Sequence, residues 1–124
     1  MPQRISVIDD APEIVQLYEE LLTGEGYDVV AMFAGPPSEP QAIAQHHPDI
    51  VIMDWLYGRE AIGMHILEML KTHPPTAAIP VIVCTAALRE IVQVEAMLTQ
   101  RGVRILHKPF SIDDLLALIR EVLA

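Results

Sequence analysis

The feature that most constrains this 124-residue chain is a change of hydrophobic period that repeats five times along it. A run rich in β-branched residues at 4–9 (R-I-S-V-I-D) gives way to Ile14, Leu17, Tyr18, Leu21 and Leu22, spaced as one face of a helix. Asp10 stands where an N-cap belongs. Pro12 falls in the first turn, where its missing N–H leaves no bond unmade, and Gly24 and Gly26 follow the last apolar position. The cycle returns with expected strands at 27–33, 49–54, 79–85 and 103–108. Expected helices lie at 39–46, 63–73 and 88–101, the first preceded by a Gly35-Pro36-Pro37 turn. Ser111 caps the last helix, whose stripe is Ile112, Leu115, Leu116, Ile119 and Val122. Strands alternating with helices require crossover connections, so a parallel sheet is expected. The near-continuous apolar strands agree, because a parallel sheet is covered on both faces. The expectation is a single α/β layer sandwich over residues 1–124.

Apolar residues make up 52% of the chain, enough for a full core without disulfide staples. The one cysteine, Cys84, lies in an apolar run and reads as a small buried hydrophobe in a reducing, cytoplasmic setting. No apolar run reaches the length that crosses a bilayer, and the first residues carry no signal-peptide pattern. The net charge of −9, from 17 acidic and 8 basic residues, argues against direct binding to nucleic acid, which needs a basic patch. It is compatible with a bound cation or a basic protein surface.

Open parallel sheets bind ligands beyond the carboxyl ends of their strands. The first expected strand ends in Asp9-Asp10, the third in Asp54, the fourth in Thr85 and the fifth in Lys108. Taken singly these residues have plain readings as helix caps, turns and β-formers. Together they place three carboxylates, a hydroxyl and an ammonium on one edge. Clustered carboxylates repel unless a cation intervenes, and a hard divalent ion such as Mg²⁺ takes oxygen ligands and retains water. A metal, a lysine and a hydroxyl around one carboxylate form a receptacle for a phosphoryl group, with the carboxylate as nucleophile.

The order Asp9-Asp10, Asp54, Thr85-Ala86, Lys108-Pro109-Phe110 resembles the receiver domain of bacterial two-component response regulators, over essentially the whole chain. The resemblance implies a flavodoxin-like (βα)5 three-layer sandwich with a five-stranded parallel sheet of order 2-1-3-4-5. It implies Asp54 as phosphoacceptor, with a histidine kinase or phosphotransfer protein as donor. Asp10 and Asp54 would be carboxylate ligands of Mg²⁺, Asp9 would act largely through a bound water, and the Leu56 carbonyl would be the third protein ligand. Lys108 would pair with the phosphoryl oxygens, Thr85 would turn its hydroxyl toward them, and the Lys108–Pro109 bond would be cis.

Three features depart from that family's pattern. The loop at 55–63 lacks the family's proline and is one residue longer. The switch position on the fifth strand is Ile105 where an aromatic is frequent. Leu56 and Ala87 offer no hydrogen bond to a water attacking an aspartyl phosphate, so slow self-dephosphorylation is expected. The altered loop and Ile105 favour one rival, a degenerate receiver acting by protein contact alone, and the intact Asp9, Asp10, Asp54, Thr85 and Lys108 oppose it. A second rival, a small phosphatase using Asp54, lacks any inserted segment that would build a substrate pocket. At most, self-phosphorylation and self-dephosphorylation are expected, and not conventional enzyme activity.

The five histidines match no zinc spacing and are expected on the surface, with His107 pointing away from Lys108. No glycine-rich phosphate fingerprint is present. Ile91, Val92, Val94, Met97, Leu98 and Leu118 exceed what one buried stripe requires. An 88–123 face is therefore expected either to carry homodimer or output contacts or to be a wide core stripe.

Overall fold

The computed structural model describes residues 2–33, 40–55, 63–86 and 88–124. The strands are β1 (Arg4–Asp9), β2 (Asp28–Phe33), β3 (Ile50–Met53), β4 (Val81–Thr85) and β5 (Arg104–His107). They form one parallel sheet of order β2-β1-β3-β4-β5, as expected for a flavodoxin-like fold. The helices are α1 (Pro12–Gly24), α2 (Pro40–Gln45), α3 (Gly63–Thr72), α4 (Pro74–Ala77), α5 (Leu88–Val92), α6 (Glu95–Gln100) and α7 (Ile112–Leu123).

Successive strand residues point to opposite faces, and both faces are apolar, so two cores result. Ile8, Val51, Met53, Val81 and Val83 pack with Ile43 of α2, Ile66 of α3, Ile91 of α5 and Leu98 of α6. On the opposite face Ile5, Val7, Ile50, Ile52, Ile82 and Cys84 pack with Tyr18 and Leu22 of α1 and Leu115 and Ile119 of α7. At the far end from the strand carboxyl termini, Arg4 ties three segments together. Its guanidinium meets Asp28 at 2.7 Å and the His46 carbonyl, and its N–H meets Asp49 at 2.8 Å.

Several local expectations are corrected. Leu17 and Leu21 do not face the core: they are 51% and 36% exposed, and Val15, Tyr18 and Leu22 form the buried stripe instead. Asp10 is not the N-cap. Ala11 holds that position, and its N–H is met by Asp9 Oδ1 at 3.0 Å, so the preceding carboxylate reaches over and the helix starts one residue later. The helix expected over 88–101 is broken into α5 and α6 by a turn at 93–94. A short helix, α4, was not expected; Pro74 opens it, where a missing N–H is tolerated. Ser111 does cap α7, accepting from the Asp114 N–H at 3.1 Å. On the 88–123 face, Ile91 and Leu98 are buried, Val94, Met97 and Leu118 pack partly against the cores, and Val92 is exposed. The turn at 35–37, the start of the second helix at 39, and Leu56 and Ala87 lie outside the described residues. Among the described residues no helix is long and apolar enough to cross a membrane.

Ser6, on the same strand face as Ile8, is fully buried, and its hydroxyl has no hydrogen-bond partner. The buried hydroxyl of Thr76, by contrast, donates to the Leu70 carbonyl at 2.6 Å. An unsatisfied buried donor costs about 1–3 kcal/mol, and alanine removes it with little change of volume. Ser6→Ala is therefore expected to raise the unfolding free energy by about 1 kcal/mol. Urea titration checks this, and a loss of stability would mean that the hydroxyl is satisfied in solution.

Candidate functional site

Each candidate side chain is placed by a strand that runs out of apolar residues at the same sheet edge. Asp9 is the last residue of β1 and is only 4% exposed, while Asp10, just after it, is exposed. Asp54 follows β3, Thr85 closes β4 and is buried, and Lys108 follows β5. The Lys108 N–H donates to the Thr85 carbonyl at 2.9 Å, which fixes the β5 end beside the β4 end. The Lys108–Pro109 peptide bond is cis, as expected.

Lys108 Nζ lies 3.1 Å from Asp54 Oδ2 and 3.9 Å from Asp9 Oδ2, so one ammonium serves two carboxylates from different strands. Asp54 Oδ1 accepts the N–H of the next residue, Trp55, at 2.6 Å. Trp55 itself turns into the core and is 3% exposed. Gly63, at the start of α3, donates its N–H to the Trp55 carbonyl at 2.9 Å, which ties α3 to the residue after Asp54. A Cβ on Gly63 would sit 2.7 Å from Trp55 Cα. The described parts thus gather Asp9, Asp54, Thr85 and Lys108 at one edge. His107 sits apart from that edge, pairing at the surface with Glu95 at 3.1 Å. Ile105 packs partly against the α2–α6 core and presents no hydroxyl.

Burial raises the Asp9 carboxyl above its usual range, and the charges of Asp54 and Asp10 act in the same direction. The Ala11 N–H and Lys108 oppose them. A raised carboxyl means that the folded chain binds this proton more tightly than the unfolded one. Ionised Asp9 is therefore a cost at neutral pH, relieved as pH falls through its folded value. Asp9→Asn is expected to raise the melting temperature at pH 7. The gain should shrink in acid. A variant that melts at or below the wild-type temperature at pH 7 would contradict this account.

The donor set is hard oxygen. Among the described residues no three His, Cys, Asp or Glu side chains converge closely enough to cage an ion by themselves. That composition fits Mg²⁺, which binds through one or two carboxylates and keeps several waters. It does not fit a closed zinc site.

Residues 5–120 match the response regulator receiver domain. The chain belongs to that family. It is 28% identical to the phosphate regulon transcriptional regulatory protein PhoB of Rhizobium meliloti (strain 1021), over 99% of this chain and 53% of that protein. It is 32% identical to the DNA-binding dual master transcriptional regulator RpaA of a Synechocystis strain, over 97% of this chain and 48% of that protein. The chain spans about half the length of these relatives. The chemotaxis protein CheY of Bacillus subtilis is covered at full length, at 29% identity over 99% of each chain. Among solved structures, a response regulator from Desulfuromonas acetoxidans superposes with a TM-score of 0.76 at 27% identity, covering 98% of this chain and 96% of that one. A CheY-like receiver domain from Methylobacillus flagellatus gives 0.80 at 16% identity, covering 98% and 99%, which is a likeness of fold alone. This receiver thus carries its acidic edge where the family's sheet order brings the strand ends together.

Proposed function

We propose that this receiver takes a phosphoryl group onto Asp54 from a histidine kinase or phosphotransfer protein. The observation that carries the reading is the Asp54 carboxylate held between the Trp55 N–H and the Lys108 ammonium. In the reaction an Asp54 oxygen attacks the donor's phosphorus. The bond from phosphorus to the donor histidine nitrogen breaks, the nitrogen leaves with the electron pair, and an acyl phosphate forms. Lys108 is within reach to balance charge on the phosphoryl oxygens, and Thr85 supplies a hydroxyl at the neighbouring strand end. Asp10 and Asp54 would hold Mg²⁺ directly and Asp9 through water, with the Leu56 carbonyl, outside the described residues, as a further ligand. When bound, the ion neutralises the oxygens between donor and acceptor. With apolar Leu56 and Ala87 in place, the acyl phosphate is long-lived. The setting is cytoplasmic, and output or dimer contacts on the 88–123 face are part of the same proposal.

The test is uptake of labelled phosphate from a small-molecule donor with and without Mg²⁺, followed by hydroxylamine, which cleaves acyl phosphates. Mg²⁺-dependent, hydroxylamine-labile label supports the reading. No label, together with Trp55 fluorescence that ignores Mg²⁺, would favour the contact-only receiver, a reading that Ile105 at the switch position supports.

A further inference from the structure

The residue after the acceptor is a tryptophan whose side chain has no part in the phosphoryl chemistry. Trp55 stands at the rim of the sheet, yet its indole turns inward and only 3% of the residue is exposed. The ring joins the core that β1, β3 and β4 share with α2, α3, α5 and α6. A close-packed interior leaves a ring of that size little freedom, so the indole restricts where the peptide at residue 55 can lie. Both backbone groups of Trp55 are committed, and to different parts of the molecule. Its N–H donates to Asp54 Oδ1 at 2.6 Å, a short bond with a carboxylate as acceptor. Its carbonyl accepts the Gly63 N–H at 2.9 Å, which links it to the first turn of α3.

Gly63 also sets how near α3 comes. A Cβ there would lie 2.7 Å from Trp55 Cα, 2.8 Å from its carbonyl oxygen and 2.9 Å from the ring carbon Cε3. Without a side chain at 63, the helix presses on the backbone and the ring of Trp55 together. Residue 55 is thus held through its ring, its Cα and its carbonyl, and its N–H is aimed at the acceptor. The two oxygens of Asp54 then have distinct surroundings: Oδ1 meets the Trp55 N–H, and Oδ2 meets Lys108 Nζ at 3.1 Å. Turning the carboxylate about its Cβ–Cγ bond weakens both contacts. Misplacing a reacting atom by about 1 Å can cost about a hundredfold in rate, so looseness in this one peptide is felt in the chemistry.

We propose that Trp55 is a positioning residue for the acceptor. Its indole, seated in the core against Gly63, anchors the peptide whose N–H sets the angle of the Asp54 carboxylate. The proposal rests on the reading of Asp54 as acceptor. It concerns the side chain, since every residue but proline brings the same N–H. What the tryptophan adds is a fixed direction for that N–H.

Trp55→Phe keeps an aromatic ring in the core, Trp55→Leu keeps only apolar bulk, and both retain the N–H. Label uptake from acetyl phosphate with Mg²⁺ would be compared in the full chain and in each variant, all confirmed folded by circular dichroism. The amide proton of residue 55 would be followed by proton–nitrogen NMR, since a short bond to a carboxylate moves it downfield. In Asp54→Asn that signal should return upfield, which ties it to this bond. Uptake is expected to slow about threefold in Trp55→Phe and about tenfold in Trp55→Leu, with the amide proton moving upfield in the same order. A purely structural role would lower the melting temperature and leave both the rate and the amide signal of the folded chain unchanged. Where Trp55→Leu does not fold, Trp55→Phe decides alone. A wild-type rate in every folded variant, or slower uptake with the amide proton unmoved, overturns the positioning role and leaves the acceptor reading standing. A wild-type chain that takes no label overturns the acceptor reading and the positioning role with it.

Discussion

Asp54→Asn is expected to abolish phosphoryl uptake, lowering it by at least about a thousandfold, while the fold survives. The amide has no charged oxygen to attack phosphorus, so the nucleophile is lost outright. Its carbonyl can still accept the Trp55 N–H, now 2.6 Å from Asp54 Oδ1, so the backbone turn after β3 keeps its bond. What disappears is the 3.1 Å contact with Lys108, and with it one of the charges acting on Asp9. These changes oppose one another, and the melting temperature is expected to move by no more than about 3 °C. Mass spectrometry of the labelled chain with and without the substitution reads the result. Mg²⁺-dependent label at a different residue of the variant would end the assignment.

Gly63→Ala should destabilise the domain strongly, although the substitution favours the helix that Gly63 begins. Alanine in a helix gains about 1 kcal/mol over glycine. Here a Cβ would lie 2.7 Å from Trp55 Cα and 2.8 Å from its carbonyl oxygen, so backbone, and not a flexible side-chain end, has to yield. Overpacking of this kind costs about 1–3 kcal/mol and occasionally more. Because the obstacle is backbone, the upper end applies and outweighs the helical gain. A net loss of about 2 kcal/mol, roughly 6–10 °C in melting temperature, is expected. The same shift would displace Trp55, so its emission should move to longer wavelength and phosphoryl uptake should slow. A melting temperature within about 2 °C of wild type would show that α3 can slide away from Trp55 at little cost.

The architecture was legible because apolar strand runs alternate with helical stripes, and the runs of β1, β3, β4 and β5 end in or lead directly into the polar residues that mark the site. Asp9, Asp54, Thr85 and Lys108 could be placed on one edge before any contact was seen, and the edge is where they stand. The facing of α1 was not legible. Val15 and Leu17 both fit an apolar arc, and what decides between them is the direction from which the sheet approaches. The cap was misplaced for a related reason: Asp9 and Asp10 have the same chemistry, and only the path of the chain gives Asp9 the Ala11 N–H. The break at 93–94 carries no glycine or proline and so no sequence signal. Pro74-Pro75 did carry one, since proline opens helices readily, and α4 could have been found from it. The unpartnered hydroxyl of Ser6 was invisible, because a partner, or its lack, is a property of packing.

The strand order also bears on how the molecule is built during synthesis. β1 can pair with β2 before the rest of the sheet exists, and β3, β4 and β5 can then be added to the open side in the order in which they are made. No strand has to be threaded between two already joined. Asp9 and Asp54 are brought together when β3 docks, but Lys108 comes only with the segment that follows β5. Until then the rim lacks the Lys108 ammonium that meets both carboxylates. The last strand therefore delivers counter-charge and closure together, and electrostatic attraction favours completing the sheet in the correct place.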